Sequence, residues 1–172
     1  MNYLKKIVST GAVRKTPQRI IDKISNEIVF RDNTTIIEVG AGRGEITKAL
    51  LHKNDSLNYY ALEIDPDFYA HLSAAFPKAH ILQQDALKFQ EASNIPLSYD
   101  YFVSSIPLSF YKQQEIENFC ISTRNRLQKG GKVIILFTAF WLIPTLKKSL
   151  PEIRIEPFAT LPPYFLAVFE KN

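Results

Sequence analysis

A single cysteine in 172 residues excludes an internal disulfide and any cysteine-built zinc site. That residue, Cys120, lies in an apolar helical run and reads as core. His52, His71 and His80 are scattered without metal-ligand spacing, and no serine, histidine and aspartate form a nucleophilic triad pattern. The histidines therefore read as structural or exposed. No apolar run is long enough to span a bilayer, and Lys5 and Lys6 are not followed by the run that a leader peptide needs. Charge is sparse too, 22% of residues with a net of +4 and no dense block of one sign, which admits nucleic acid or an anionic membrane and selects neither. With 46% hydrophobic residues the chain can bury one full core.

Glycine is scarce, six in all, yet half of them alternate within Gly40-Ala41-Gly42-Arg43-Gly44. The β-branched run Thr35-Ile36-Ile37-Glu38-Val39 precedes them, and Ile46, Ala49, Leu50 and Leu51 follow at helical spacing, so the stretch reads strand, tight turn, helix. Such a turn lets backbone approach a ligand closely and offers free N–H groups at the helix start. The spacing is one residue shorter than the dinucleotide fingerprint. Glu38, two residues before the first glycine, would repel a phosphate but suits, directly or through water, a cation such as the sulfonium and amino group of S-adenosylmethionine. Two later strands also end in acids. Tyr59-Tyr60-Ala61-Leu62-Glu63 presents a carboxylate suited to ribose hydroxyls, and Ala79-His80-Ile81-Leu82-Gln83 leads to Asp85-Ala86, suited to an adenine amino group.

The remaining elements follow from periodicity and punctuation. Tyr3, Leu4, Ile7 and Val8 make a short amphipathic stretch that closes over the site or lies on a lipid surface. A helix is expected from Thr16 as N-cap with Pro17 in its first turn, burying Ile20, Ile21, Ile24 and Ile28. Pro66 starts another, through Leu72 and Ala75. An irregular polar segment over 88–98 precedes a strand over 99–103, and a helix over 114–127 is expected to end at Gly130-Gly131. A buried strand over 132–137, a helix over 144–150 and two short antiparallel strands over 154–156 and 164–169 complete the chain.

Through Glu38-Val39-Gly40-Ala41-Gly42-Arg43-Gly44, Glu63-Ile64-Asp65 and Gln84-Asp85-Ala86 the sequence resembles the class I S-adenosylmethionine-dependent methyltransferases. Within them it is similar to the branch of phospholipid N-methyltransferases and rRNA adenine dimethyltransferases. The resemblance implies an α/β fold with a Rossmann-like, doubly wound, seven-stranded sheet, mainly parallel with an antiparallel edge strand. It implies a single methyltransferase domain over 1–172, whose helical segment 1–30 faces substrate or membrane. It also implies S-adenosyl-L-methionine as cofactor, held by Glu38, Gly40, Ala41, Gly42, Gly44, Glu63, Ile64, Asp85 and Ala86, and no metal.

Methyl transfer from a sulfonium needs alignment rather than a nucleophilic residue. Ser105, Ile106 and Pro107 follow the fourth strand at the carboxyl edge of the sheet and, with Tyr111, are the expected acceptor-site residues; Tyr111 reads equally as a packed aromatic capping the next helix. Adenine-N6 methyltransferases place an Asn or Asp, then Pro and an aromatic, at this edge. Here Ser105 and Leu108 stand in those places, although Phe110 or Tyr111 could stack from a shifted position. Gly11-Ala12-Val13 with Thr16-Pro17, Ser104-Ser105-Ile106-Pro107-Leu108 and Leu161-Pro162-Pro163 are similar to the phospholipid side. The main expectation is therefore methylation of a phosphatidylethanolamine-like headgroup by a cytoplasmic protein resting peripherally on the inner membrane face. Phe140-Trp141-Leu142-Ile143-Pro144, Lys147-Lys148 and Leu161-Pro162-Pro163-Tyr164-Phe165 suit such an interfacial surface or, equally, close the core. An rRNA adenine-N6 or small-molecule N-methyltransferase, with nucleic acid as partner, is the alternative. A cofactor-binding module without turnover is a second.

Overall fold

Alternating and continuous apolar runs give α1 (Gln18–Asn26), β1 (Thr35–Val39), α2 (Glu45–Lys53), β2 (Asn58–Glu63), α3 (Pro66–Ala75), β3 (His80–Gln83), β4 (Tyr99–Ser104), α4 (Gln113–Arg126), β5 (Leu127–Phe137), α5 (Ile143–Ser149), β6 (Arg154–Phe158) and β7 (Tyr164–Glu170). The computed structural model describes residues 15–172, so the stretch 3–8 and Gly11-Ala12-Val13 lie outside the described residues. The sheet order is β3-β2-β1-β4-β5-β7-β6. β1 to β5 pair in parallel, while β7 runs antiparallel to both neighbours. The edge strand β6 carries Pro157, whose missing N–H is tolerated at an edge.

Both faces are covered. Ile20 and Ile24 of α1, Ile46 and Leu50 of α2 and Leu72 of α3 pack with Ile36 and Tyr59 on one side. Ile116 and Phe119 of α4 and Leu146 of α5 pack with Ile37, Phe102 and Val133 on the other. Glu27, just past α1, is buried among charges: burial pushes its carboxyl up, but hydrogen bonds and charges from Lys132 and Arg154 outweigh that and hold it below the usual carboxylate range.

Four expectations are corrected. Pro17, not Thr16, stands at the N-cap of α1, because it is still extended (ψ 137°) and the helix begins one residue later. α4 stops at Arg126, since Leu127 is already extended and opens β5. Gly130-Gly131 therefore lies inside that strand, where the pairing jumps from Tyr99–Leu127 to Tyr101–Lys132 and a Cβ on Gly131 would run into the Asp100 carbonyl. The first part of the segment over 88–98 is ordered in a 3-10 turn, Ala86–Glu91, capped by Asp85 and anchored by buried Phe89.

Because β7 is reversed, the turn over 159–163 rises at the carboxyl edge of β5: Phe137 pairs with Phe165, and Phe158 with Tyr164. Three loops thus meet above the ends of β1, β4 and β5.

Candidate active site

The glycine turn is fixed from both neighbouring strands. The Gly40 N–H donates to the Leu62 carbonyl at 2.9 Å, and the Ser105 hydroxyl donates to the Gly40 carbonyl at 2.8 Å. Gly40 has φ +74°, and a Cβ there would lie 2.7 Å from Ile106 Cγ2. Gly40→Ala is therefore expected to cost about 2 kcal/mol, from the left-handed backbone and the clash together. Thermal unfolding should show it as a fall in Tm of roughly 4–8 °C; an unchanged Tm would show that the turn relaxes freely.

Above the turn opens a cavity of about 420 Å³. Its lining brings together Gly40, Ala41, Gly42, Glu63, Ile64, Asp85 and Ala86 with Ser105, Ile106, Pro107 and Tyr111. Glu63 is buried and grips backbone: Oε2 accepts from the Gly42 N–H at 2.8 Å and Oε1 from the Asp65 N–H at 2.9 Å. Asp85 accepts from the Leu87 N–H at 3.0 Å through Oδ1, capping the 3-10 turn.

Two of the expected cofactor residues are not in this lining. Gly44 is the N-cap of α2 and lies under the turn, against Leu72 and Phe76. Glu38 is wholly buried, because it shares with Ile36 the strand face covered by α2. Its Oε2 accepts from the hydroxyls of Thr47 and Tyr59, while Oε1 has no partner among the described residues. Burial pushes this carboxyl up to about 7, against the two hydrogen bonds that favour its charged form. Glu38 thus props the turn from beneath.

Phe68 and Thr138, which spacing did not single out, also line the cavity, and so do Thr16, Pro162 and Tyr164, noted in the sequence for other reasons. These five residues come from four separate parts of the chain, joined by topology rather than by a motif. Phe110 also lines the cavity, as does Leu108, although Leu108 is almost wholly buried. Cys120 is buried, with its thiol pushed up to about 12 by desolvation. All three histidines are exposed, His80 stacking on Tyr60. Among the described residues no group of His, Cys, Asp or Glu could hold a metal ion. Of the aromatic stretch after β5, Leu142 and Leu146 close the core, while Phe140 and Trp141 stay exposed.

Charge tells what the cavity accepts. Four acids, Glu45, Glu63, Asp65 and Asp85, line it with one cation, Arg43. That balance disfavours a polyphosphate and favours a cation bearing hydrogen-bond donors. S-adenosylmethionine fits: Glu63 retains lone pairs for vicinal hydroxyls, and Asp85 can take an amino group.

Residues 14–123 match a family model described as ribosomal RNA adenine dimethylase. A ribosomal RNA small subunit methyltransferase A from Mycoplasmoides gallisepticum is 35% identical over 71 residues, 41% of this chain and 26% of that protein. The chain thus spans about a quarter of that relative's length. An uncharacterized methyltransferase from Anoxybacillus flavithermus is 26% identical over 140 residues, 81% of this chain and 64% of that protein. Among solved structures, a precorrin-6y C5,15-methyltransferase from Geobacter metallireducens superposes with TM-score 0.73 at 13% identity, covering 92% of this chain and 90% of that one, and shares the fold. These matches correct the expected phospholipid acceptor: the family model and the Mycoplasmoides relative are ribosomal RNA methyltransferases. The short stretches similar to the phospholipid side carry less of the chain than the family match does. A membrane seat loses its support with them, and no helix of the described residues is long and apolar enough to cross a bilayer.

Proposed function

Because the chain belongs to the ribosomal RNA adenine dimethylase family, within the class I S-adenosylmethionine-dependent methyltransferases, we propose that it methylates the amino nitrogen of an adenine in ribosomal RNA. The observation that carries this reading is one cavity lined by two unlike sets of groups, acids with glycine backbone, and Ser105 with two aromatic rings.

S-adenosylmethionine, when bound, supplies a methyl group already activated on a sulfonium. Glu63 and Asp85 orient it through its hydroxyl and amino donors, and the acidic lining favours its positive charge. The adenine amino group must lie in line with the methyl and lose its hydration, which the apolar wall of Ile106, Pro107, Leu142 and Phe137 promotes. Phe110 and Tyr111 provide ring faces for a base withdrawn from its stack.

Ser105 takes the place held by an amide in related adenine enzymes. Its hydroxyl proton is committed to the Gly40 carbonyl, so toward the cavity its oxygen acts as an acceptor, the role that the amide oxygen has. An acceptor on an amino hydrogen aims the nitrogen lone pair and takes up positive charge as the bond forms.

The test is incubation with methyl-labelled cofactor and unmodified small-subunit ribosomal RNA, with phosphatidylethanolamine vesicles in parallel, followed by digestion to nucleosides. Label in N6-methylated adenosine is the expected result. No labelled nucleoside, under conditions where the cofactor binds, would overturn the acceptor, and no label in any acceptor would favour the module without turnover. Ser105→Ala is expected to lower kcat roughly tenfold, the size of one lost hydrogen bond in the transition state, and to weaken cofactor binding to a smaller extent, since the same hydroxyl holds the Gly40 carbonyl.

A further inference from the structure

A helical stretch at the cavity mouth has an exposed face that packing does not explain. The 3-10 turn Phe140–Leu142 runs directly into α5. Leu142, Leu146, Ser149 and Leu150 of this stretch are buried, while Phe140, Trp141, Pro144, Lys147 and Lys148 face outward. Phe140 and Trp141 are 62% and 61% exposed, with ring centroids 5.5 Å apart and planes at 79°. Edge-to-face contact of this kind leaves ring face open to a third planar group. The residues on either side, Ala139 and Leu142, both line the cavity, so the two rings stand at its rim.

We infer that Phe140 and Trp141 form a stacking platform for the unpaired nucleobase next to the target adenine; this rests on the RNA reading above. Withdrawing one base from a strand leaves its neighbour without a stacking partner, and an aromatic face at the rim supplies one. Stacking on side chains tolerates any base, since each has a π-face. The charges on the same face fit a nucleotide. Lys148 is paired with Glu117 at 3.0 Å, but Lys147 is exposed and makes no ion pair among the described residues. It stands two helical turns from Phe140, roughly 10 Å along the axis, a reach that suits the phosphate following a stacked base. The patch is two rings wide beside an acidic cavity, which suits one nucleotide better than a bilayer surface, where a broader basic face is needed.

Trp141 is the only tryptophan in the chain, so its emission reports on the platform without any labelling. The full chain, with S-adenosylhomocysteine present to prevent turnover, is titrated with an end-labelled single-stranded RNA holding one adenine. A second RNA has abasic sites flanking that adenine, and phosphatidylethanolamine vesicles form a third arm. Anisotropy of the end label measures binding independently. The expected result is quenching of Trp141 by the intact RNA, loss of that quenching with the abasic RNA, and an increase of about tenfold in KM for Trp141→Ala at nearly constant kcat, rescued by Trp141→Phe. RNA that binds by anisotropy without changing Trp141 emission overturns the platform and leaves the RNA reading standing. A change in emission with vesicles, and no binding of RNA, overturns both.

Discussion

Glu63→Ala is expected to weaken S-adenosylmethionine binding about a hundredfold or more. The carboxylate closes the loop from beneath by accepting from Gly42 and Asp65 N–H groups at 2.8 and 2.9 Å. Hydrogen bonds to a charged group are each worth about 1.5–3 kcal/mol, and losing both removes the loop's bound shape as well as the acceptor for ligand hydroxyls. About 3 kcal/mol corresponds to roughly a hundredfold in affinity. Glu63→Gln separates the parts, since its one carbonyl oxygen satisfies one N–H and leaves the other opposite an amide; its affinity should fall between. Calorimetric titration at constant pH reads both. Wild-type affinity in the alanine variant would mean that Glu63 neither shapes the loop nor touches the ligand.

Stability is expected to fall as pH rises from about 5 to 8, and Glu38 is the cause. Its folded carboxyl is raised by burial to about 7 from an ordinary 4.5. A raised carboxyl holds its proton more tightly folded than unfolded between those values, so the folded state binds more protons there and loses stability with rising pH. The Glu38 contribution is full below about 4.5, declines through 7, and is flat above. The gap corresponds to about 3 kcal/mol. Glu38→Gln cannot ionise, keeps a carbonyl oxygen for Thr47 and Tyr59, and should remove most of this decline. Urea denaturation of both proteins between pH 5 and 8 makes the comparison; parallel curves would show that another group governs the slope.

Local chemistry was legible, and what depended on distant partners was not. Gly40 and Glu63 could be placed because a glycine turn between a strand and a helix, and an acid ending the next strand, are short-range patterns. Glu38 was identified as important for the wrong surface. From a strand with apolar residues on both faces, sequence does not say which face is under a helix; Thr47, one turn into α2, was the available signal, a hydroxyl among apolar neighbours on the buried face. Gly130-Gly131 was read as a helix stop because glycine commonly follows a last turn. The same residue type also serves a close backbone approach, and only the register of β4 against β5 distinguishes the two. Phe68 and Thr138 reach the cavity through the order of strands, which no window of sequence contains.

The reversed strand β7 divides the labour of the sheet. The acids and glycine backbone of the cavity come from loops after β1, β2 and β3, and Ser105 with most of the aromatic and apolar lining comes from those after β4 and β5 together with the turn over 159–163. That turn is held by a hairpin at the margin, where Phe158 pairs with Tyr164, and by Arg19 of α1, whose guanidinium donates to the Ala159 carbonyl at 2.6 Å. None of its five residues takes part in a register of β1 to β5, so they can be exchanged for those of another methyltransferase if the Arg19 contact to position 159, a backbone carbonyl, is kept. A chimera made this way should keep its grip on the methyl donor while changing what it methylates, a starting point for redirecting the enzyme by evolution in the laboratory.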